Sequence, residues 1–493
     1  MKTKCSFFVS GVVALLVMTS CDNWLNVTSS SQIRAEDQFE SAEGFKDALI
    51  GVYVGMTKPD AYAKEMSWYT VDLLSGQYRD LPATARYQDL QQYEYGTTFA
   101  ENRIDAVWQS SYNTIANINN ILGYIEEDRG VLGDIDHSLI KGELLGLRAF
   151  LHFDLLRLFG KGALDNRPGL SDELTVPYVT EYSKDIPKRY SYTQTFDLLL
   201  QDIKDGLALL ELDPIYTTGE RPEGYEEIIT SDNFYSNRKL RMNYYALKAL
   251  QARVLAWLGG DENLDKARTA AEEVINGSDT QLIDGQSYNV SANPTLFPEL
   301  LFSLRIEGLE DITNPLLNAS SGDVANDEAV FYPNGTIDDI YETSNANIGP
   351  PDIRFNSLLE QQARGYVSLK LLQTDAVTGS ASHDIVPLIK LPEMYYIAAE
   401  YYINTNQRGQ AIDYLNTVRT SRGIVQQIPE DATQQELEDE LFKEYRKEFI
   451  SEGQLFYYYK RLGLETLPNL SQDITVDDDI YVLPYPDSEN IFR

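Results

Sequence analysis

Residues 391–423 read LPEMYYIAAEYYINTNQRGQAIDYLNTVRTSRG, and this stretch decides the fold class. Its large, small and aromatic residues recur at intervals of four and three, first in one half of the stretch and then in the other. Such spacing places each set on one face of a helix. The stretch therefore predicts two short helices joined at 405–408. The positions that carry the pattern are Tyr395, Ala399, Tyr402, Ala411, Leu415 and Val418.

The same six positions match the tetratricopeptide repeat, a helical hairpin of about 34 residues. A single hairpin of this kind cannot bury its apolar face alone, so further hairpins are expected along the chain. A second match with a longer turn covers Met242–Leu258 and Leu264–Asn276. The long helical patterns at 103–130 and 138–159 form a third pair by shape.

One more amphipathic helix is predicted over 435–462. The expected fold class is mainly α, an irregular tetratricopeptide-like helical repeat scaffold with long irregular loop regions and a few short strands. The hairpins of this scaffold are expected near 103–159, 242–277, 391–423 and 435–462.

Two long regions, 55–100 and 280–390, show no helical period. The first is rich in glycine, proline and aromatic residues, and in the second only Leu300–Ile306 alternates enough to predict a short strand. Long irregular regions on a regular scaffold commonly carry function. We therefore expect the functional part of the protein in these two regions.

The charge of the chain limits its partners. Its 493 residues contain 41 Lys and Arg against 76 Asp and Glu, a net charge of −35. This excess of acids disfavours nucleic acid and anionic membrane surfaces as ligands. The 33 tyrosines pair an apolar ring with a hydroxyl, so they suit helical cores and sugar-stacking surfaces equally well.

The N-terminus has the pattern of an export signal. Lys2 and Lys4 precede the apolar run Phe7–Met18, which is too short to span a bilayer, and Cys21 follows. This arrangement resembles a bacterial lipoprotein signal, in which the cysteine is acylated and becomes the mature N-terminus. We expect a signal peptide at 1–20, a lipid-anchored tether at 21–40 and a single domain over 41–493. The alternative is an ordinary signal peptide with an incidental cysteine.

Motifs for catalysis and cofactor binding are absent from the sequence. There is no Walker loop, GxGxxG, GxSxG, HExxH or CxxC motif, and Cys21 would be the only cysteine left after signal cleavage. His152 lies on an apolar helix, where a core histidine is the favoured interpretation. No cofactor or metal is expected, although Asp477–Asp479 could contribute to a calcium site instead of forming a solvated acidic turn. A hydrolase that uses two of the many carboxylates is an unfavoured alternative.

Two further interpretations concern large side chains on the helices. Trp24, Trp108 and Trp257 lie on the tether or on periodic helix faces, and we interpret them as packing residues. Four arginines are expected to form internal salt bridges, namely Arg148, Arg157, Arg446 and Arg461.

Several motifs in a fixed order resemble the SusD/RagB-type outer-membrane nutrient-binding lipoproteins across nearly the whole chain. The chain departs from that family at two places. The late helix reads Tyr445–Arg446 where Glu-Arg is usual and then Glu452-Gly453-Gln454, and GKGALDN (160–166) replaces a Gly-Asp-x-Pro turn. The matching pieces are SCDNWLNV (20–27), LLGLRAFLHFDLLRLFG (144–160), ALQARVLAWLGG (249–260), DKARTAAEEVIN (265–276), LPEMYYIAAEYYIN (391–404), AIDYLNTVRTSRG (411–423), LFKEYRKEFISEGQLFYYYKRLG (441–463) and VLPYP (482–486).

The resemblance implies a non-catalytic lipoprotein on the surface of a Gram-negative cell. It would bind an oligosaccharide and deliver it to a partner SusC-like TonB-dependent outer-membrane transporter, with the lipid as its only membrane anchor and no nucleic-acid partner. The hairpins would face the transporter, and the loop regions would hold the ligand. The alternatives are a peptide-binding import lipoprotein on the same scaffold, or a gating subunit without its own ligand.

Sugar capture needs flat aromatic faces for the C–H surfaces of pyranose rings and polar groups for their hydroxyls. Each aromatic candidate has packing as its alternative role. The candidates for ligand binding in the two loop regions are Trp68, Asp72, Tyr78, Arg79, Tyr87, Phe331, Tyr332 and Tyr341.

Overall fold

The computed structural model describes residues 35–127, 130–317, 327–470 and 474–490. The predicted signal peptide, Cys21, Trp24 and the first part of the tether lie outside these residues. Within the described ranges, every helix is too short or too polar to cross a bilayer.

Most of the described chain is helical, which confirms the predicted fold class. The α-helices are α1 (Ala35–Gln38), α2 (Ala42–Met56), α3 (Thr70–Leu74), α4 (Gln88–Gln91), α5 (Thr98–Glu127), α6 (Asp134–Phe159), α7 (Tyr192–Leu209), α8 (Tyr225–Thr230), α9 (Tyr244–Leu258), α10 (Asp261–Gly277), α11 (Leu309–Leu317), α12 (Asn334–Tyr341), α13 (Ile353–Asn356), α14 (Leu391–Asn404), α15 (Arg408–Ser421), α16 (Gln434–Glu448), α17 (Leu455–Leu462), α18 (Asp478–Tyr481) and α19 (Asp487–Asn490).

The described residues also form six short strands in three separate antiparallel pairs. The pairs are β1 with β2, β3 with β6, and β4 with β5. The strand predicted at 300–306 is β3, so that prediction is confirmed. The strands are β1 (Leu174–Pro177), β2 (Arg189–Ser191), β3 (Leu300–Arg305), β4 (Leu359–Gln362), β5 (Gly365–Ser368) and β6 (Ile385–Lys390).

The hairpin of α14 and α15 forms as its spacing predicts. Pro392 lies in the first turn of α14, where a missing backbone N–H costs no helical hydrogen bond. Tyr395 and Tyr402 are half-buried. The small and aliphatic positions of the repeat are all fully buried, namely Ala399, Ala411, Leu415 and Val418.

The predicted hairpins stack on one another through shared polar contacts. The Tyr402 and Tyr414 rings stack with their centroids 5.6 Å apart. Both hydroxyls donate to the Glu272 carboxylate on α10, at 2.6 and 2.9 Å. Helix α10 packs along α14. The hairpin of α9 and α10 therefore supports that of α14 and α15, as a repeat scaffold requires.

The prediction of one continuous helix over 435–462 is wrong. Helices α16 and α17 are separated by a turn at 449–454, in which Ser451 and Gly453 have φ values of 56° and 67°. A Cβ atom on Gly453 would lie 2.0 Å from the Ser67 carbonyl oxygen. Amphipathic periodicity continues through this turn in sequence, but the close approach of the first loop region interrupts the helix.

The two loop regions are more ordered than their sequences predict. The region 55–100 contains α3, α4 and a π-helical turn at Pro59–Ala63, and the region 280–390 contains α11 to α13 and β3 to β6. Apart from β3, these elements are mostly too short to produce a periodic signal, which explains why sequence patterns did not reveal them.

The expected internal salt bridges are confirmed for all four arginines. Arg148 forms two hydrogen bonds of 2.7 Å with Asp202, and Arg157 pairs with Asp154. The remaining two pairs are Arg461 with Glu400 at 2.7 Å and Arg446 with Asp339 at 3.4 Å.

His152 is a core histidine, as expected. Its side chain is fully buried, its Nδ1 lies 2.9 Å from the Arg148 carbonyl oxygen, and its Nε2 accepts from the Val179 backbone N–H. Burial lowers the pKa of His152 to about 3, so the ring is neutral. Trp108 and Trp257, each 4% exposed, are packing residues as predicted.

The acidic turn at 477–479 is occupied by internal contacts. The Asp477 side chain caps α18 by accepting from the Asp479 backbone N–H. The Asp478 carboxylate binds the Arg167 guanidinium through two hydrogen bonds of 2.8 and 2.6 Å. Asp477 and Asp479 are exposed, as expected of a solvated acidic turn, whereas Asp478 is held by Arg167.

Glu448, at the end of α16, is the centre of a buried ionic network. One carboxylate oxygen accepts from Lys390 at 2.8 Å and Arg422 at 3.0 Å, and the other accepts from Arg354 and Arg422 at 3.1 Å each. All four side chains are at most 2% exposed. Arg422 also binds Glu299 through two hydrogen bonds of 2.7 Å.

Glu444 lies one turn earlier on the same helix and is equally buried. It accepts from Arg354 at 2.9 Å, Arg419 at 3.2 Å and Lys447 at 3.3 Å. Although burial alone would raise the pKa of this carboxyl, the three cations outweigh it and lower the pKa to about 2. Helix α16 is thus fixed to β6, α13 and α15 by fully paired buried charges.

The substitution Glu448→Gln should lower the free energy of unfolding by about 3–5 kcal/mol, because it leaves buried cations without their carboxylate. Urea unfolding of the full-length protein in detergent, followed by circular dichroism, measures this loss. The matched control is Asp439→Asn on the exposed side of α16, which should change the value by no more than about 0.5 kcal/mol. Equal small losses in both variants would contradict the role of the network.

Acid should weaken the fold through Glu444. Its folded pKa of about 2 lies below its ordinary value of 4.5, so its contribution is complete above pH 4.5 and is lost as the pH falls towards 2. Between pH 5 and 3, the unfolding free energy of Glu444→Gln should therefore fall less steeply than that of the wild type. Asp439→Asn should retain the wild-type slope, and urea titrations at each pH provide the test.

Candidate functional site

The two loop regions meet along one surface, which we call the seam and define as residues 79–87, 327–331 and 364–366. The Arg79 backbone N–H donates to the Phe331 carbonyl oxygen at 2.6 Å. The Arg86 backbone N–H donates to the Glu328 carboxylate at 2.9 Å. The predicted ligand regions, distant in sequence, therefore form one continuous surface.

Three guanidinium groups lie on the seam. The Arg79 side chain is exposed and donates to the Arg364 carbonyl oxygen at 3.0 Å. The Arg364 guanidinium lies 4.5 Å from the centre of the Phe331 ring. The Arg86 side chain is 72% exposed, and its Nε lies 3.4 Å from the Glu328 carboxylate. Each guanidinium offers several hydrogen-bond donors in a fixed plane, which suits hydroxyl and carboxylate ligands.

One aromatic ring is partly open beside these arginines. Phe99 is half-buried at the start of α5. The guanidinium groups of Arg86 and Arg103 lie 5.5 and 6.0 Å from the centre of its ring. Phe99 thus adds a small apolar patch to a mainly polar surface.

The tyrosines behind the seam have their rings covered by a cation from the same chain. The Lys64 ammonium group lies 4.3 Å from the centre of the Tyr69 ring and 4.0 Å from that of Tyr87. It also donates to the Tyr87 hydroxyl at 2.8 Å, and that hydroxyl donates to the Glu65 carboxylate. Burial lowers the pKa of Lys64. These contacts fix the floor of the seam.

The structure corrects most of the predicted ligand contacts. Arg79 is exposed on the seam, but the other seven side chains are at most 4% exposed. A buried ring has no open face for a sugar, so these seven residues do not form a stacking surface in this structure. The buried residues are Trp68, Asp72, Tyr78, Tyr87, Phe331, Tyr332 and Tyr341.

Two of these tyrosines instead support the seam from below. The Tyr78 and Tyr332 rings lie 4.7 Å apart, and their hydroxyls share the Ser451 hydroxyl oxygen at 3.3 and 2.7 Å. Tyr332 also pairs with Tyr366 through two backbone hydrogen bonds. The seam is thereby attached to the turn between α16 and α17.

Three other predicted residues have internal partners away from the surface. The Trp68 indole N–H donates to the Ala63 carbonyl oxygen at 2.8 Å, and the Tyr341 hydroxyl donates to the Lys447 carbonyl oxygen at 2.9 Å. The Asp72 carboxylate accepts from the Gly453 N–H at 3.2 Å, and burial raises its pKa well above the ordinary value. All three act in packing.

Sequence analysis missed Arg86, Glu328 and Arg364 as surface residues of the seam, and Phe99 beside it. Arg86 and Phe99 lie inside the predicted first region, so the composition of that region was the available signal. No sequence signal indicated that Arg86 pairs with Glu328, since 242 positions separate the two residues.

A second surface, with two half-buried tyrosines, lies beside α5. A groove of about 420 Å³ is lined by Trp108, Tyr112, Tyr178 and Tyr190, among others. The Lys188 ammonium group lies 4.8 Å from the centre of the Tyr190 ring. Tyr112 and Tyr190 are half-buried. The sequence did not indicate this groove, which offers aromatic and polar groups together.

Two family models match the chain over separate segments. The model described as starch-binding and associating with the outer membrane matches residues 23–223. The SusD family model matches residues 321–483. A curated relative, SusD-like protein P38 of Formosa agariphila, is 24% identical over 490 residues, covering 90% of this chain and 88% of the relative.

Solved structures share the fold over nearly the whole chain. A SusD superfamily protein from Bacteroides thetaiotaomicron has a TM-score of 0.70 at 21% identity, covering 92% of this chain and 98% of the other. A SusD-like carbohydrate binding protein from Bacteroides vulgatus has a TM-score of 0.69 at 17% identity, covering 92% and 96%. Because the two family models together match more than half of the chain, the chain belongs to the SusD/RagB family.

Proposed function

We propose that this protein is a non-catalytic cell-surface lipoprotein, acylated at Cys21, that binds an oligosaccharide on the seam. It delivers this ligand to a SusC-like TonB-dependent transporter in the outer membrane. The observation that carries the proposal is the seam itself, where both loop regions place arginines and carboxylates on one exposed surface. Membership of a family whose model is described as starch-binding supports the ligand class.

The chemistry of the seam suits a polyhydroxylated ligand. The guanidinium groups of Arg79 and Arg86 donate to sugar hydroxyls, and the Asp327 and Glu328 carboxylates accept from them. Phe99 contacts an apolar C–H face of a sugar ring. The net charge of −35 repels polyanions at long range, which favours a neutral oligosaccharide.

A peptide is the second candidate ligand, and one observation favours it. Six predicted aromatic contacts are buried, so the seam is more polar than a surface dominated by sugar stacking. Alternating arginines and carboxylates also suit the backbone and side chains of a peptide. Comparing glycan and peptide libraries decides between these two ligands.

The substitution Arg86→Ala should weaken oligosaccharide binding about tenfold or more, because a hydrogen bond to a charged group contributes about 1.5–3 kcal/mol. Isothermal titration of the full-length protein in detergent against neutral glycans and a peptide mixture measures the effect. The matched control is Arg408→Ala at the start of α15, an exposed arginine of the scaffold, which should leave the affinity unchanged.

The remaining outcomes of this experiment are equally informative. Binding of peptides without any response to glycans would select the second ligand. Loss of binding in Tyr190→Ala, with Arg86→Ala unaffected, would move the site to the groove beside α5. Release of shorter oligosaccharides during incubation would overturn the non-catalytic proposal.

The substitution Tyr332→Phe should destabilise the fold by about 1 kcal/mol and leave ligand affinity unchanged. It removes the hydroxyl that meets Ser451 in the floor of the seam but keeps the buried ring. Urea unfolding and ligand titration of the same preparation test both parts. Tyr182→Phe, at a tyrosine that is 67% exposed, should alter neither quantity. A large loss of affinity without a loss of stability would place Tyr332 in contact with the ligand.

A further inference from the structure

A small cavity lies inside the scaffold, away from the seam. It has a volume of about 40 Å³ and lies among α6, α9, α14, α16 and α17. The lining residues used below are Arg157, Arg253, Trp257, Gln454, Tyr457 and Arg461. Gln454 and Arg461 are half-buried, whereas the other four are buried, so these two residues offer the route from solvent.

Three buried polar atoms of this lining have no hydrogen-bond partner within the described ranges. They are Arg253 Nη1, the Trp257 indole nitrogen and the Tyr457 hydroxyl. Their side chains are 6%, 4% and 2% exposed. A buried donor without an acceptor costs about 1–3 kcal/mol, and such donors are few in folded proteins. Three of them around one cavity therefore indicate a ligand that accepts hydrogen bonds.

The remaining contacts of Arg253 hold its free nitrogen in place. Its Nε and Nη2 donate to the two Glu393 carboxylate oxygens at 2.7 and 2.6 Å. Nη2 also donates to the Leu388 carbonyl oxygen at 3.0 Å. The guanidinium cannot rotate to satisfy Nη1 without breaking these bonds.

Several polar groups around the cavity have partners in the protein, including the Glu393 carboxylate, which also lines it. The Gln454 side-chain oxygen accepts from Arg157 at 3.0 Å, and the Ala256 carbonyl oxygen accepts from Arg461 at 3.2 Å. The Arg157 guanidinium lies 3.8 Å from the centre of the Tyr457 ring. The three guanidinium groups of the lining are each paired with a carboxylate, Arg157 with Asp154, Arg253 with Glu393 and Arg461 with Glu400. The groups left without a partner are the three donors.

We propose that this cavity binds a small monovalent anion of about the size of chloride, held by Arg253, Trp257 and Tyr457. An anion only accepts hydrogen bonds, which matches three donors without a protein acceptor. A water molecule is the competing occupant, and anomalous scattering from bromide distinguishes the two. The cavity exceeds the roughly 10–15 Å³ that one water molecule requires, so it admits an ion of this size. The bound anion joins α9 to α17 and stabilises the scaffold. This inference does not depend on the ligand of the seam.

Thermal unfolding of the full-length protein in detergent tests the site. Sodium chloride replaces sodium gluconate at constant ionic strength, because gluconate is too large for the cavity. Chloride and bromide should raise Tm saturably, by about 2–3 °C at a hundredfold excess over Kd. Sodium formate is tested in the same way, and an equal saturable rise in Tm would show that the site accepts small carboxylates as well as halides. A Tm that is the same in chloride and gluconate would overturn the proposal.

Variants that remove single donors localise the effect. Tyr457→Phe and Trp257→Phe should each shift the midpoint of the chloride titration about tenfold to higher concentration. The matched control is Tyr459→Phe, since Tyr459 is fully buried on the same helix but does not line the cavity. The Tyr459→Phe variant should keep the wild-type midpoint of the chloride titration, even if its Tm without chloride differs from that of the wild type.

Anomalous scattering from crystals soaked in bromide locates the ion directly. A peak within hydrogen-bonding distance of Arg253, Trp257 and Tyr457 would support the proposal. Density for water alone at that position, or equal chloride midpoints in Tyr457→Phe and Tyr459→Phe, would overturn it.

Discussion

The pairing of buried charges around α16 is the constraint on which the described structure depends. Glu444 and Glu448 are buried, and isolated charges at such positions would be prohibitively costly. Each carboxylate therefore needs its cations at fixed distances, and these come from separate parts of the chain: Lys390 at the end of β6, Arg354 in α13 and Arg422 at the end of α15. The second loop region and the most regular hairpin are positioned by the same helix. Such a network specifies a unique arrangement more than it adds net stability, because much of the attraction offsets the cost of desolvation.

The turn that follows α16 connects this network of buried charges to the seam. Glu452 binds Lys370 and Lys390, Ser451 meets the hydroxyls of Tyr78 and Tyr332, and the Gly453 N–H donates to Asp72. The tyrosines that a sequence reader would assign to sugar stacking are used here to attach a loop surface to a helical scaffold. A ligand on the seam would meet the arginines and carboxylates above them, on a floor that is already rigid. A preformed polar surface loses less conformational entropy on binding than mobile loops would.

Helix α17 also joins separate parts of the scaffold through buried polar groups. Tyr457 and Arg461 line the small cavity that we assign to an anion, and Arg461 also binds Glu400 on α14. The hairpins are therefore joined both by apolar packing and by polar contacts that require exact partners. Trp257 takes part in both kinds of contact. Its ring packs against Phe153, and its indole N–H, which has no protein acceptor within the described ranges, is available to the proposed anion.

The sequence by itself determined the helical hairpins, the strand at 300–305, the core role of His152 and the family, because helical spacing and ordered motifs are local properties that tertiary contacts rarely reverse. It also located the two regions that form the seam, through their lack of period and their composition. Only the tertiary structure decided whether each tyrosine is buried in the core or exposed to a ligand, since its ring and hydroxyl suit both environments equally well. It also decided the break at 449–454 and the pairing of Arg86 with Glu328. Both depend on contacts between distant segments, and a periodic pattern carries no information about such contacts.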